Sequence, residues 1–195
     1  MISKTSKNDN MEQIAHLIYQ TDAFLFPFIF GKREKDIQMF AALVAKENNP
    51  FSYQNIDVEE DETIRGLIIT QKPHDQSNPA SDFYAVYPIW KLFRFAVRQF
   101  FLFPVFRHNI KAGIYIQNLV VDKKHRGQGV GTKMLLHAMD SSRKAGIEKM
   151  YLDVSIKNER AINLYERHGF KIVKQKKAWG LFPITYWMEK DLKED

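Results

Sequence analysis

The sequence predicts a single domain that combines α-helices and β-strands, an α/β (α+β) fold. Segments with apolar residues at helical spacing alternate along the 195 residues with short segments rich in strand-forming residues. A chain of this length buries a full core in one domain, and its 45% apolar and 27% charged residues are ordinary for a globular protein. We therefore expect one domain over residues 1–195.

The N-terminal part predicts two helices followed by a hairpin. Apolar residues at helical spacing mark residues 11–19 and 35–46 as helices. Residues 53–58 and 64–70 are short, strand-like and joined by the acidic turn 59–62, which is typical of an antiparallel hairpin. The loop 71–81 then leads to the aromatic part of the chain.

The C-terminal part predicts strands that alternate with helices. The strand 113–121 is largely buried, and its core side chains are either Ile114, Ile116 and Val120 or Leu119 and Val121. The helix after it ends at a glycine, and the next helix begins after a capping asparagine. The remaining predicted elements are the helices 131–144 and 159–168 and the strands 149–155, 170–175 and 184–188.

Aromatic residues make up 13% of the chain and are concentrated in residues 83–106. We predict a long helix there, bounded by Pro88 and Pro104, with Lys91, Arg94 and Arg98 on one face. Three roles stay open for this segment. It is helix core over the hairpin, the acceptor-side wall of an active site, or a face for a dimer or a membrane surface with its basic residues toward lipid phosphates.

The bulk properties exclude several classes of site. A formal net charge of +6 suits an anionic partner. Nucleic acid is disfavoured because the basic residues are interleaved with acids and no nucleic-acid motif occurs, and a phosphorylated cofactor fits the charge equally well. The absence of cysteine excludes disulfides, thiolate metal sites and a cysteine nucleophile, and the histidines lack metal-ligand spacing. Since no signal sequence and no membrane-spanning run is apparent, we expect a soluble, cytoplasmic protein without a metal.

The segment Arg126 to Gly131 is a candidate anion site. It follows a strand and opens a helix, so free backbone amides point toward one ligand, and glycines without a Cβ let that ligand approach closely. A P-loop is disfavoured because Gly131-Thr132-Lys133 does not give Gly-Lys followed by Ser or Thr. A dinucleotide turn is disfavoured because Thr132 stands where its third glycine would be.

The same segment resembles motif A of the GNAT superfamily of N-acetyltransferases. Its Gln/Arg-x-x-Gly-x-Gly/Ala turn is matched by Arg126, Gly129 and Gly131. Upstream, residues 118–122 resemble the splayed strand whose backbone pairs with the pantetheine arm of the cofactor, and downstream, residues 158–170 resemble motif B. The close resemblance covers about residues 113–173.

This resemblance implies a fold and a division of the chain. The fold is a mixed, mostly antiparallel sheet of about seven strands with helices on both faces. Within one N-acetyltransferase domain, residues 1–70 form helices and the hairpin, residues 82–106 form an aromatic-rich helical insertion, and residues 112–178 form the acetyl-CoA-binding core.

The resemblance also implies a reaction in which acetyl-CoA donates an acetyl group to a primary amine by direct attack in a ternary complex. Tyr165 would protonate the leaving sulfur, and Asp153 stands where ribosomal-protein N-terminal acetylating members carry a glutamate base. Asp22 is a candidate contact for the amine of the acceptor, which is a small molecule or a peptide. The implied cofactor-binding residues are Leu119, Val120, Val121, Arg126, Gly127, Gln128, Gly129, Val130, Gly131, Thr132 and Asn158.

Two further alternatives stay open. A catalytically silent CoA-binding module is the rival function, because Gln117 and Asn118 stand on the splayed strand where many relatives have a carboxylate. A homodimer is compatible with the sequence.

Overall fold

The computed structural model describes residues 1–22, 25–72, 79–106, 110, 112–178 and 182–193. Seven strands form one sheet in the order β1-β2-β3-β4-β5-β7-β6, and every neighbouring pair is antiparallel except β4 and β5. The strands are β1 (Ile2–Lys4), β2 (Ile56–Glu60), β3 (Ile64–Gln71), β4 (Ile114–Val121), β5 (Lys149–Ser155), β6 (Lys171–Ala178) and β7 (Phe182–Asp191). The predicted mixed, mostly antiparallel sheet is confirmed.

Helices cover both faces of this sheet, as expected. The helices are α1 (Met11–Thr21), α2 (Leu25–Phe30), α3 (Glu34–Val44), α4 (Pro79–Val86), α5 (Ile89–Phe106), α6 (Val130–Lys144) and α7 (Glu159–Arg167). On one face, α1, α2 and α3 bury a core with Leu67 and Ile69 of β3. On the other, α6 and α7 bury a second core with Ile68, because neighbouring strand residues point to opposite faces.

A β-bulge in β4 settles which of its side chains are core. Ile69 pairs with Asn118, but the next residue of β3, Thr70, pairs with Ile116, so Gln117 is an extra residue on β4. Side chains before and after the bulge therefore alternate between the two faces of the sheet in opposite phase. Ile114, Ile116, Leu119 and Val121 pack on the α6 side, whereas Val120 packs on the α1 side. Neither predicted set forms one face: Ile114 and Ile116 share the α6 side with Leu119 and Val121, and Val120 lies alone on the α1 side.

Three N-terminal elements differ from the prediction. The predicted strand 53–58 begins only at Ile56, because Tyr53–Asn55 form a 3-10 turn. Strand β1 was not predicted, since its three residues become a strand only by pairing with β2. Helix α2 was also missed: it contains Pro27, but Phe26 and Phe30 hold it against Phe40 at ring-centroid distances of 5.9 and 4.8 Å.

The long helix predicted within residues 83–106 is α5, which begins directly after Pro88 as predicted but continues past Pro104. Residues 83–86 belong to α4, which is separated from α5 by a break at Tyr87 and Pro88. A residue before proline disfavours the helical backbone, which accounts for the break. Phe83, Leu92 and Phe95 pack on the α1 core, so part of the segment is helix core.

The outer side of α5 is unusually apolar. Ile89, Phe93, Val97 and Phe100 recur at spacings of four, four and three and are 73%, 71%, 41% and 66% exposed. The predicted basic face is not formed by all three residues: Lys91 pairs with Asp36, and Arg98 donates to the carbonyl of Ile29 at 3.2 Å. Arg94 is exposed, whereas Lys91 and Arg98 are half-buried.

The described residues contain neither a candidate membrane-spanning helix nor a candidate metal site. No helix in them is long and apolar enough to cross a bilayer. Within the same ranges, no three His, Asp or Glu side chains are grouped in a way that could hold a metal ion.

Candidate active site

The central feature of the site is a split between the two parallel strands. β4 and β5 pair at three positions, and the last pair is Ile116 with Leu152. Beyond it, β4 continues for five residues alongside β3, while Asp153 to Ser155 continue alongside β7. The sheet therefore opens into a cleft, which we call the β4–β5 cleft, with a strand edge of β4 along one side.

The glycine turn lies at the far end of β4. Gly127 and Gly129 have φ angles of 83° and 80°, and a Cβ added to either would meet no atom within 4 Å. Gly129 is the N-cap of α6, so no side chain satisfies the first amides of that helix. The turn is thus an exposed, anion-receptive cradle at the end of the strand.

Side chains of the turn brace it against the protein. Arg126 Nε donates to the carbonyl of Val121 at 3.2 Å, and Gln128 receives a hydrogen bond from Arg65 Nη2 at 2.9 Å. Gln128 Nε2 in turn donates to the carbonyl of Lys124 at 3.3 Å. These hydrogen bonds hold the side chains of the turn against the protein, while the backbone of its first two glycines is exposed.

A buried glutamate ties this region to the sheet. Glu59 of β2 is 2% exposed, accepts a hydrogen bond from Lys133 in the first turn of α6 at 2.8 Å, and lies 3.7 Å from Arg65 Nε. Burial works to raise the pKa of Glu59, but Lys133 and Arg65 outweigh it and hold the pKa below its usual value. Sequence patterns placed Glu59 in an acidic turn and missed this contact, whose partners are far apart along the chain.

Replacing this residue, Glu59→Gln, is expected to lower the free energy of unfolding by about 1–2 kcal/mol at pH 7, because a charge-assisted hydrogen bond is weakened. The lowered pKa means that the stabilisation is present above the usual glutamate pKa of about 4.3 and is lost as the pH falls through the lower folded-state value. Urea unfolding at pH 7 and at acid pH measures this difference. Glu60→Gln, at an exposed neighbour, is the control; an equal loss in both variants contradicts the assignment.

Helix α7 brings Tyr165 to the same region. A Cβ at Gly131 would lie 3.5 Å from Val121 Cγ2 and 3.6 Å from Leu164 Cδ2, so β4, α6 and α7 meet there. Tyr165 is 7% exposed, belongs to the core under α6 and packs on Phe170, with ring centroids 5.6 Å apart. Burial raises the pKa of the Tyr165 phenol well above its usual value, so the phenol keeps its proton throughout the physiological range.

Asp153 is the first residue of β5 beyond the paired part, and it belongs to a polar cluster on the sheet face opposite α6. Its Oδ2 accepts hydrogen bonds from Lys176 Nζ at 2.8 Å and from the Tyr115 hydroxyl at 3.3 Å, and its Oδ1 accepts from Thr185 at 3.3 Å. Trp187 lies under the Lys176 amine, 4.5 Å from Nζ to the ring centroid. We call these five residues the Asp153 cluster.

Burial also sets the titration of this cluster. It raises the pKa of Asp153, against the opposing influence of Lys176, Thr185 and Tyr115, and it lowers the pKa of Lys176. Burial thus opposes the charged forms of both partners, although Lys176 Nζ and Asp153 Oδ2 lie 2.8 Å apart, within ion-pair distance. The sequence identified Asp153 but missed its partners. Most of them lie on β6 and β7, and the position of these strands in the sheet cannot be inferred from local sequence patterns.

Two other predicted residues have structural roles. Asn158 Oδ1 caps α7 by accepting from the amide of Ala161 at 3.2 Å. Asp22 Oδ1 accepts from the amide of Leu25 at 2.8 Å, at the start of α2. These hydrogen bonds do not test the predicted contacts of Asn158 with the cofactor and of Asp22 with the acceptor amine, and both contacts stay predictions.

A cavity lies away from these features. It has a volume of about 800 Å³ and is lined by residues of α2, α3, α4 and α5, including Phe30, Met39, Trp90 and Arg94. None of its lining residues belongs to the glycine turn, the β4–β5 cleft or the Asp153 cluster. The candidate site is therefore formed by the strand split and the glycine turn and is separate from this cavity.

Fold and site together define a class: an α/β domain whose split parallel strands lead to a glycine turn at a helix N-terminus. The family model described as the Acetyltransferase (GNAT) family matches residues 15–170. The chain belongs to this family.

The chain is also similar in sequence to curated N-acetyltransferases. The chain is 42% identical over 67 residues to N-alpha-acetyltransferase 50 of Danio rerio. The aligned residues make up 34% of this chain and 40% of that protein. Among curated relatives, the matched part spans 24% to 59% of their own length.

Solved structures with low sequence identity show the fold. The crystal structure of an N-acetyltransferase from Staphylococcus aureus Mu50 matches with a TM-score of 0.76 and 21% identity, over 97% of this chain and 99% of that chain. The paia N-acetyltransferase from Thermoplasma acidophilum, solved in complex with coenzyme A, matches with a TM-score of 0.58 and 16% identity over 98% of both chains.

Proposed function

We propose that the protein is an N-acetyltransferase that moves an acetyl group from acetyl-CoA to a primary amine by direct attack in a ternary complex. The observation that supports this best is the β4–β5 cleft, which begins beside Asp153 and runs along β4 to the open glycine turn. A pantetheine arm and its diphosphate need such a strand edge and such a cradle, so the residues present fit the cofactor.

The binding roles follow from this fit. The backbone of Leu119 to Val121 would hold the pantetheine arm, and the amides from Arg126 to Thr132 would hold the diphosphate. Asn158, at the start of α7, would add a hydrogen bond to the arm. Bound there, acetyl-CoA supplies an acyl carbon activated as a thioester.

The chain's own groups would then act around that carbon. An amide of β4 next to the cleft stabilises negative charge on the carbonyl oxygen, because a fixed dipole costs no reorganisation when charge develops. Tyr165 carries a proton at physiological pH and delivers it to the departing sulfur. Asp153, or water ordered by it, receives the proton of the attacking amine, provided that its ion pair with Lys176 opens or transfers a proton.

A thiol-release assay tests this function. The protein is incubated with acetyl-CoA and a panel of acceptors: peptides with free N-termini, lysine, polyamines, amine antibiotics and small amine metabolites. We expect acceptor-dependent release of free CoA, and the similarity to N-alpha-acetyltransferase 50 puts the peptides first. Failure of every acceptor, together with tight CoA binding measured by calorimetry, contradicts the proposal.

One observation favours a second candidate, a catalytically silent CoA-binding module. Asp153 is held by a cation, so the structure presents the carboxylate as a salt bridge and not as a free base. Such a module binds CoA through the same turn but releases no thiol, and the assay above separates the two functions.

A further inference from the structure

Lys176 takes an unusual path across the sheet. It belongs to β6, yet its amine contacts Asp153 of β5, and β7 lies between these strands. Neighbouring strands are about 4.8 Å apart, so the Lys176 side chain, its hydrogen bond and the Asp153 side chain together bridge about 10 Å between the two backbones. Its side chain is 10% exposed. A lysine on an outer strand thus places its amine at the β4–β5 cleft instead of in solvent.

The surroundings of that amine are those that suit a primary ammonium ligand. A carboxylate lies at 2.8 Å and the face of Trp187 at 4.5 Å, the two groups that bind ammonium ions best in partly buried sites. Trp187 is fixed by stacking on Tyr151 and Tyr115 at ring-centroid distances of 5.4 and 6.0 Å. The Asp153 cluster is therefore a built amine site, occupied by the chain's own lysine.

The Asp153 cluster lies at the point where the β4–β5 cleft begins. Asp153 directly follows Leu152, whose pair with Ile116 is the last before the strands separate. The proposed function puts the thioester at this point. We propose that Lys176 is an acetylation site of the protein itself, modified within one molecule by its own bound acetyl-CoA; this inference rests on the proposed function.

The chemical step balances with acetyl-CoA as the only co-reactant. A proton moves from Lys176 Nζ to Asp153 Oδ2, which leaves a neutral amine. The nitrogen forms an amide bond with the acetyl carbon, the carbon–sulfur bond breaks, and the second proton of the nitrogen ends on sulfur as free CoA thiol. Asp153 then returns its proton to water. Burial supports the first transfer, because it raises the pKa of Asp153 and lowers that of Lys176.

The experiment uses the whole chain with acetyl-CoA and no added amine. Samples quenched over time are digested, and the acetyl group is located by tandem mass spectrometry. We expect one acetyl group per chain, on Lys176, at a rate that does not change when the protein is diluted. Lys176→Arg keeps the positive charge beside Asp153 and should abolish the label. Lys174→Arg, at an exposed lysine on the same strand, should leave the label unchanged.

A second measurement needs no cofactor. In ¹⁵N-labelled protein, the Nζ signal that disappears in Lys176→Arg should titrate at lower pH than the signals of exposed lysines. An Nζ that titrates with the exposed lysines, a label that depends on protein concentration, or a label that persists in Lys176→Arg overturns the inference.

The outcomes also separate this inference from the proposed function. If external amines release CoA thiol while Lys176 stays unmodified, the self-acetylation is refuted and the acetyltransferase stands. If neither external amines nor Lys176 accept an acetyl group from bound acetyl-CoA, both proposals fail.

Discussion

Replacing Tyr165 by Phe is expected to lower kcat by about 100-fold, the lower range for loss of a positioned general acid. The affinity for CoA should change little, because the hydroxyl acts on the sulfur and the ring still fills its place in the α6 core. Thiol-release kinetics measure kcat, and calorimetry measures CoA binding. Burial raises the pKa of this phenol, so ionisation of Tyr165 should not reduce kcat of the unchanged protein at any pH below about 10.

Tyr186→Phe is the matched control for this prediction. Tyr186 packs against the same core, and its replacement also removes one phenolic hydroxyl. Its kcat should stay close to that of the unchanged protein. An unaltered kcat in Tyr165→Phe would refute the role of Tyr165 as the acid.

The second large effect is expected at the turn, where Gly129→Asp should weaken CoA binding by about 100-fold. Asp tolerates the left-handed backbone better than most residues, so its main effect is a negative charge beside the diphosphate. Two like charges about 4 Å apart repel by about 4 kcal/mol near a protein surface, and salt reduces this value. Calorimetry at two salt concentrations should show a larger loss of affinity at low salt.

Gly146→Asp provides the same substitution away from the site. Gly146 has a φ of 71°, and a Cβ there would also meet no atom within 4 Å. Both variants should fold, and CoA affinity should fall only in Gly129→Asp. Equal affinities in the two variants would exclude the turn as the diphosphate site.

The sequence predicted best the elements whose signals are local. Helix α6 and strand β5 were predicted to within a residue or two, because Gly129 and Gly146 bound the helix and alternating burial marks the strand. Strand β1 and helix α2 were missed because their stability comes from tertiary contacts: pairing with β2 in one case and aromatic packing on Phe40 in the other.

The site was predictable to a similar degree. The turn and Tyr165 lie in continuous motifs, and the open glycines and the burial of Tyr165 agree with the roles assigned to them, which stay predictions. Lys176 was not predictable as a partner of Asp153. The two residues are 23 positions apart in the sequence, and local patterns do not reveal that β7 lies between their strands in the sheet. The same holds for Glu59 and Lys133, whose contact spans 74 positions.

The bulge at Gln117 limits how chain length can vary in this protein. Losing that one residue would exchange the two faces of β4 beyond it, so Val120 would turn toward α6 and Leu119 toward α1. An added residue in the exposed turn 61–63 would move no core side chain. Homologous chains should therefore differ in length at that turn, while the spacing from Ile116 to Gly129 is inherited unchanged.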